Sequence, residues 1–256
     1  MRTTLDLSTC DGYTSGCQRA RRLTEAWFVA NMYCPACPSD TLDQAPRNSQ
    51  VLDFLCSSCG SHFELKAQAT PIRNKVCDAA YASMAAKIDN GTLPHFAFLQ
   101  YDRSALEVLN LTLVPAHFVT LRAIEKRPPL AAHARRAGWV GCNILLTAVP
   151  PDGRLPVVAD RRPVNPATVR STWHRFSWIG AQRPEARGWA VEVLHCLRSS
   201  GFRVFGIDQA YAWEAALLSV YPNNRHIRPK IRQQLQVLRD RGIVRFLGDG
   251  RYEVVA

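Results

Sequence analysis

No stretch of the 256-residue chain approaches the roughly 18 consecutive apolar residues of a membrane-spanning helix. The opening segment MRTTLDLSTCDGYTSGCQRARR holds no apolar core of a secretory signal, so the expected location is the cytoplasm. Internal repeats and low-complexity tracts are missing, which leaves an ordinary globular protein. Acidic residues are scarce: 21 Asp and Glu face 32 Lys and Arg, a net charge of +11. A surplus of that size suggests a polyanionic partner, most often nucleic acid, although a merely soluble basic protein explains it equally well. Arg outnumbers Lys, and Arg forks suit phosphates and guanine edges.

Apolar residues make up 47% of the chain, enough for one large core or one core and a small satellite domain. Nine cysteines without a signal peptide argue against a disulfide scaffold. Four of them are arranged. Cys34 and Cys37 form CPAC, Cys56 and Cys59 form CSSC, and residues 38–55 separate the pairs. That spacing suits a structural Zn2+ site, because two tight turns each bring a pair of thiolates to one tetrahedron. A redox pair is the rival. Cys10, Cys17, Cys77, Cys142 and Cys196 are scattered and read as small buried hydrophobes.

The segment VLDFLCSSCGSHFELKA reads as two strands joined by the second cysteine turn. Residues i and i+2 of a strand share a face, so Glu64 and Lys66 point one way and Leu65 the other. Asp53 on the partner strand can reach the same patch. Two carboxylates can bind Mg2+, and a lysine beside them can orient an attacking water and offset charge on a phosphate. Solvated residues on an exposed sheet face are the bland alternative.

The D…E-x-K pattern on adjacent strands resembles the PD-(D/E)xK nuclease signature. YCPAC, VLDFLCSSCGSHFELKAQ, DAAYASM, KRPPLAAHARRAGWVGCNI, RGWAVEVLHC and HIRPKIRQQLQVLRDRGIV resemble the DpnI-like methyl-directed restriction endonucleases over nearly the whole chain. One departure is Leu52, where the wider superfamily often has Pro. The resemblance implies a type II enzyme that cuts DNA carrying N6-methyladenine in GATC. Asp53, Glu64 and the Leu65 carbonyl would hold Mg2+, and Lys66 would position water. The implied partner is double-stranded DNA methylated at adenine. No membrane and no obligatory protein partner are expected, and the chain is expected to be a monomer.

The expected fold class is α/β, a nuclease core of mixed sheet flanked by helices, over residues 1–183, plus a small winged helix-turn-helix domain over 184–256. Residues 14–33 read as an amphipathic helix with Ala20, Leu23, Trp27 and Ala30 on one face. Glu25 in it is either solvated or, as in this superfamily, near the metal site. Residues 75–88 read as a second helix, 95–102 and 106–115 as a strand pair, and 178–188 as a linker. The loop around Arg135, Arg136 and Trp139 suits DNA through phosphate contact and stacking, with a buried Trp as the even alternative. In the C-terminal part, Ile227, Ile231, Leu235 and Leu238 mark one apolar stripe of a helix, and a GDG hairpin follows. Arg225, Arg228, Lys230, Arg232 and Gln233 lie off that stripe, near the half of a recognition helix that enters a major groove. A protein-binding winged helix is the rival there. A zinc-containing regulator without catalysis is the rival for the whole chain.

Overall fold

The computed structural model describes residues 1–46 and 53–255. Val51, Leu52 and Ala256, to which expectations are attached above, lie outside the described residues. The first long element is α1 (Gly16–Asn31). Leu23, Trp27 and Phe28 are buried on its inner face, as a helical period requires. Ala30, expected with them, is exposed; beyond Phe28 that core is filled by Met32 and Tyr33.

Two short strands follow, β1 (Asp43–Gln44) and β2 (Phe54–Leu55), then β3 (His62–Gln68), β4 (Lys75–Ala80), α2 (Tyr81–Asn90), β5 (His95–Asp102) and β6 (Glu107–Val114). After β7 (Ile124–Lys126) and β8 (Gly141–Leu145) come β9 (Leu155–Ala159), β10 (Arg162–Pro163) and α3 (Pro166–Gly180). Among the described residues seven strands form one mixed sheet in the order β1-β2-β3-β5-β6-β9-β10, in which only β3 and β5 are parallel neighbours. Phe96 and Phe98 of β5 face one core while Ala97 and Leu99 face another, which is how a strand covered on both sides reads. Helix α1 covers the Leu99 side. The Phe98 side meets a second sheet, β4-β8-β7, and α2.

The helix expected over 75–88 is split. Lys75–Ala80 is strand, and helix begins only at Tyr81. Five residues of β4 pair with β8, from Lys75 opposite Leu145 to Ala80 opposite Gly141, and this long-range ladder outweighs the helical preference of an alanine-rich segment. Residues 155–163 supply two strands that local periodicity did not mark. The linker expected over 178–188 shrinks to residues 181–183, because Pro184 opens α4 (Pro184–Ser200) at the first helical position, where its missing N–H costs nothing.

The C-terminal unit runs α4, β11 (Val204–Gly206), α5 (Ile207–Tyr211), α6 (Glu214–Val220), α7 (Ile227–Asp240), β12 (Val244–Gly248) and β13 (Arg251–Val254). Its three strands lie in the order β11-β13-β12, so four helical segments and a hairpin make a winged helix-turn-helix. Ile227, Ile231, Leu235 and Leu238 are all buried. Helix α7 ends as its sequence requires: Gly242 at φ 69° turns the chain, and the N–H of Ile243 bonds to the Leu238 carbonyl at 2.8 Å. One continuous core joins this unit to the Phe98 side of the large sheet through Phe118, Phe176, Trp189 and Leu194. Buried Glu192 of α4 accepts from Thr120 Oγ1 at 2.8 Å and Arg122 at 2.9 Å, and Arg198 forks onto Asp152 at 2.7 and 2.9 Å.

Candidate active site

The four cysteines converge as their spacing implies. Their sulfurs all lie within 4.8 Å of one another, with Cys34 to Cys59 at 3.6 Å and Cys37 to Cys56 at 3.5 Å. A tetrahedron with metal–sulfur bonds of about 2.3 Å has sulfurs about 3.8 Å apart, so the cluster could hold Zn2+ without rearrangement. Two backbone turns build it: the N–H of Cys34 bonds to the Ser39 carbonyl at 3.0 Å and that of Cys56 to the Ser61 carbonyl at 2.9 Å. Burial pushes the Cys34 thiol up. Cys56 is also penalised by burial, yet the N–H groups of Cys59 and Ser58 outweigh it and bring that thiol down to about 6, favouring the metal-binding thiolate. Arg170 of α3 clasps the first turn, donating to the carbonyls of Cys34 at 3.1 Å and Ser39 at 2.9 Å and lying over the Tyr33 ring.

The same turns set the register of the charged residues. Phe54 pairs with Phe63, which puts Asp53 opposite Glu64. The Asp53 N–H bonds to the Phe63 carbonyl at 3.2 Å, and the Asp53 carboxylate accepts the Leu65 N–H at 2.9 Å. In an extended strand the Leu65 carbonyl projects from the same edge as its N–H. Glu64 is buried and its Oε1 lies 2.5 Å from Lys66 Nζ, while among the described residues its Oε2 has no hydrogen-bond partner. Lys66 Nζ also pairs with Asp78 of β4. Burial and the Asp78 charge raise the Glu64 carboxyl above its ordinary range, with Lys66 opposing. Burial alone would depress Lys66, but the carboxylates of Glu64 and Asp78 more than offset it and hold the ammonium above its ordinary value.

Asp53, Glu64 and Lys66 line a cavity of about 1170 Å³ between α1 and β4. Arg21, Lys66, Lys75 and Arg103 share its walls with Glu25, Asp53 and Glu64, so both signs of charge face it. Glu25 faces it, held by Arg21 Nε at 2.5 Å and Gln44 Nε2 at 3.3 Å, so it is an anchored group and not a solvated one. Arg21 reaches within 4.0 Å of Asp53 as well. Asp78 went unmarked as a site residue in the sequence because β4 reads locally as helix. The strand alternation that buries Val76 was the available signal.

The segment 127–140 extends the β7–β8 hairpin, with Leu130 bonded to the Trp139 carbonyl at 2.9 Å. Arg135 and Arg136 are exposed, and the Arg136 guanidinium lies 4.7 Å from the Trp139 ring centre. Trp139 is half-buried on Gly141, where a Cβ would come within 2.7 Å of the indole. On the C-terminal unit Arg225, Arg228, Arg232 and Gln233 are exposed. Arg228, Arg232 and Gln233 line a groove of about 510 Å³ with Tyr211 and Gln236, and both guanidiniums lie over the Tyr211 ring at 5.2 and 5.3 Å. Lys230 sits apart from that groove, against Trp189.

Residues 1–182 match the model of the family named for DpnI and described as the Dam-replacing family, and residues 185–254 match the Dam-replacing HTH domain. The knuckle with its charged hairpin lies within the first match and the winged unit within the second: the chain belongs to the Dam-replacing family.

Proposed function

We propose that this protein is a methyl-directed type II restriction endonuclease that hydrolyses DNA phosphodiesters at GATC sites carrying N6-methyladenine. The observation that carries the reading is the convergence of Asp53, Glu64 and Lys66 on one cavity beside a four-cysteine cluster. Residues 1–183 form the catalytic domain and residues 184–256 the DNA-reading domain. The cysteines take structural Zn2+.

Asp53, the free Oε2 of Glu64 and the Leu65 carbonyl offer hard oxygen donors on one edge, a set that suits Mg2+. The chemistry a bound Mg2+ supplies is neutralisation of charge that builds on the phosphoryl oxygens. The chain's own groups do the rest. Asp53 and Glu64 would hold that cation at the sheet edge, and without it their charges would repel the phosphate. Lys66, held charged, donates to the attacking water and faces the growing phosphoryl charge. Water adds to phosphorus and gives up a proton to solvent, one P–O ester bond breaks, and the leaving oxygen takes a proton from solvent. Arg21, Lys75 and Arg103 line the path of the backbone. The Trp139 loop and the Arg228–Gln233 groove are two base-reading surfaces on one body.

The test is cleavage of a plasmid bearing N6-methyladenine in GATC, with Mg2+ or with chelator, against the same plasmid unmethylated. Nicking or cutting only of methylated plasmid with Mg2+ is expected. Binding without cutting would sink the nuclease reading and favour a DNA-binding regulator.

A further inference from the structure

Asp78 stands on β4, in a different sheet from Lys66, and its side chain is fully buried. Among the described residues its one ion-pair partner is Lys66, and neither carboxylate oxygen receives a hydrogen bond from a backbone or neutral group. A bare carboxylate is among the costliest groups to bury, so this one is tolerable only with its cation in place. The ladder between β4 and β8 is broken by a bulge between Asp78 and Ala80. Bulges re-aim a side chain, and this one stands beside the carboxylate that meets Lys66. The ammonium is thus shared by two acids with different prospects. Glu64 faces the cavity and has an oxygen to spare for a metal. Asp78 does not line the cavity and cannot leave its lysine.

We propose that Asp78 is a positioning residue for Lys66: it keeps the ammonium in place when the Glu64 carboxylate turns to the metal, so that the lysine stays aimed at the reacting phosphate. This rests on the nuclease reading above. Asp78 touches neither substrate nor metal, and its effect passes entirely through Lys66.

The experiment is a double-mutant cycle on wild type, Asp78→Asn, Lys66→Ala and the double variant. Each is measured by single-turnover cleavage of a methylated duplex in Mg2+, by duplex affinity in EDTA, and by zinc content. Asp78→Asn should slow cleavage about 10- to 100-fold, with affinity within about twofold of wild type and zinc retained. In the Lys66→Ala background the same change should cost less than about threefold, since residues that act as a unit are not additive. Asp78→Glu, which keeps the charge, should cut faster than Asp78→Asn. A wild-type rate for Asp78→Asn, an equal loss in both backgrounds, or no recovery by Asp78→Glu would each overturn the proposal. Full activity of Lys66→Ala would overturn the site itself and this proposal with it. A crippled Lys66→Ala beside a fully active Asp78→Asn would remove only the role of Asp78.

Discussion

The carboxylate of Asp53 accepts the backbone N–H of Leu65 at 2.9 Å, so the acid on one strand is aligned by the strand that carries Glu64 and Lys66. Asp53→Asn keeps an oxygen for that bond and loses the charge. Cleavage should fall by about 100-fold or more while the melting temperature and duplex affinity hold. Asp53→Ala should lose activity and also some stability, because a backbone N–H goes unpaired. Full-rate cleavage by Asp53→Asn in Mg2+ would show that the metal is held elsewhere.

The cysteine cluster should carry one Zn2+ per chain, four-coordinate and closed to water. Because Cys56 and Cys59 form the turn between β2 and β3, stripping the metal should abolish cleavage even with Mg2+ in excess. Arg170→Ala should weaken zinc retention without touching a sulfur. Metal analysis of active protein settles the first point, and zinc-free active protein would end it.

Two histidines set an acid limit. Burial, reinforced by His62, holds His95 down at about 4, and burial, reinforced by His95 and Arg187, holds His117 at about 3. A depressed folded value means stability that is fully present above the unfolded value near 6.5 and is lost as pH falls through the folded one. In full they contribute roughly 3 kcal/mol for His95 and roughly 5 kcal/mol for His117. Glu64, held above its ordinary range, acts oppositely and favours the fold at lower pH, so it blunts the loss without reversing it. Urea midpoints should be flat from pH 7 to 8 and fall below about 6. Ring resonances of His95 and His117 titrating near 6.5 in the folded protein would refute this.

Methylation should order the rates. One methyl in an apolar pocket is worth roughly 10- to 200-fold, and a fully methylated GATC palindrome offers two. Cleavage should rank fully methylated above hemimethylated above unmethylated duplex, measured on three otherwise identical oligonucleotides at one salt concentration. Equal rates would leave an ordinary nuclease.

Much of this was legible in the residues. Cys34 to Cys59 could be paired from spacing alone, since a CxxC turn constrains its own geometry. The stripe Ile227 to Leu238 and the GDG turn predicted the winged unit because their signals are local. Strand β4 was not legible, since its identity depends on β8 more than sixty residues away. Asp78 was lost with it. Helix α3 carries aromatic and small residues on several faces because it serves two cores, and this blurs the single stripe by which a helix is recognised. The place of Glu25 also needed the fold, because Gln44 and Asp53 reach it or its arginine only through tertiary structure.

Helix α3 has a further consequence. It gives Val169 and Trp173 to one core and Phe176 and Ile179 to the other, and its Arg170 grips the cysteine turn. The C-terminal unit is therefore not an interchangeable module. An ancestor that exchanged it for another reader would have had to recut the far half of α3, and with it the brace on the knuckle. On the proposed nuclease reading, specificity would drift by changes of side chains on α7 or the Trp139 loop and not by replacement of the C-terminal unit as a whole.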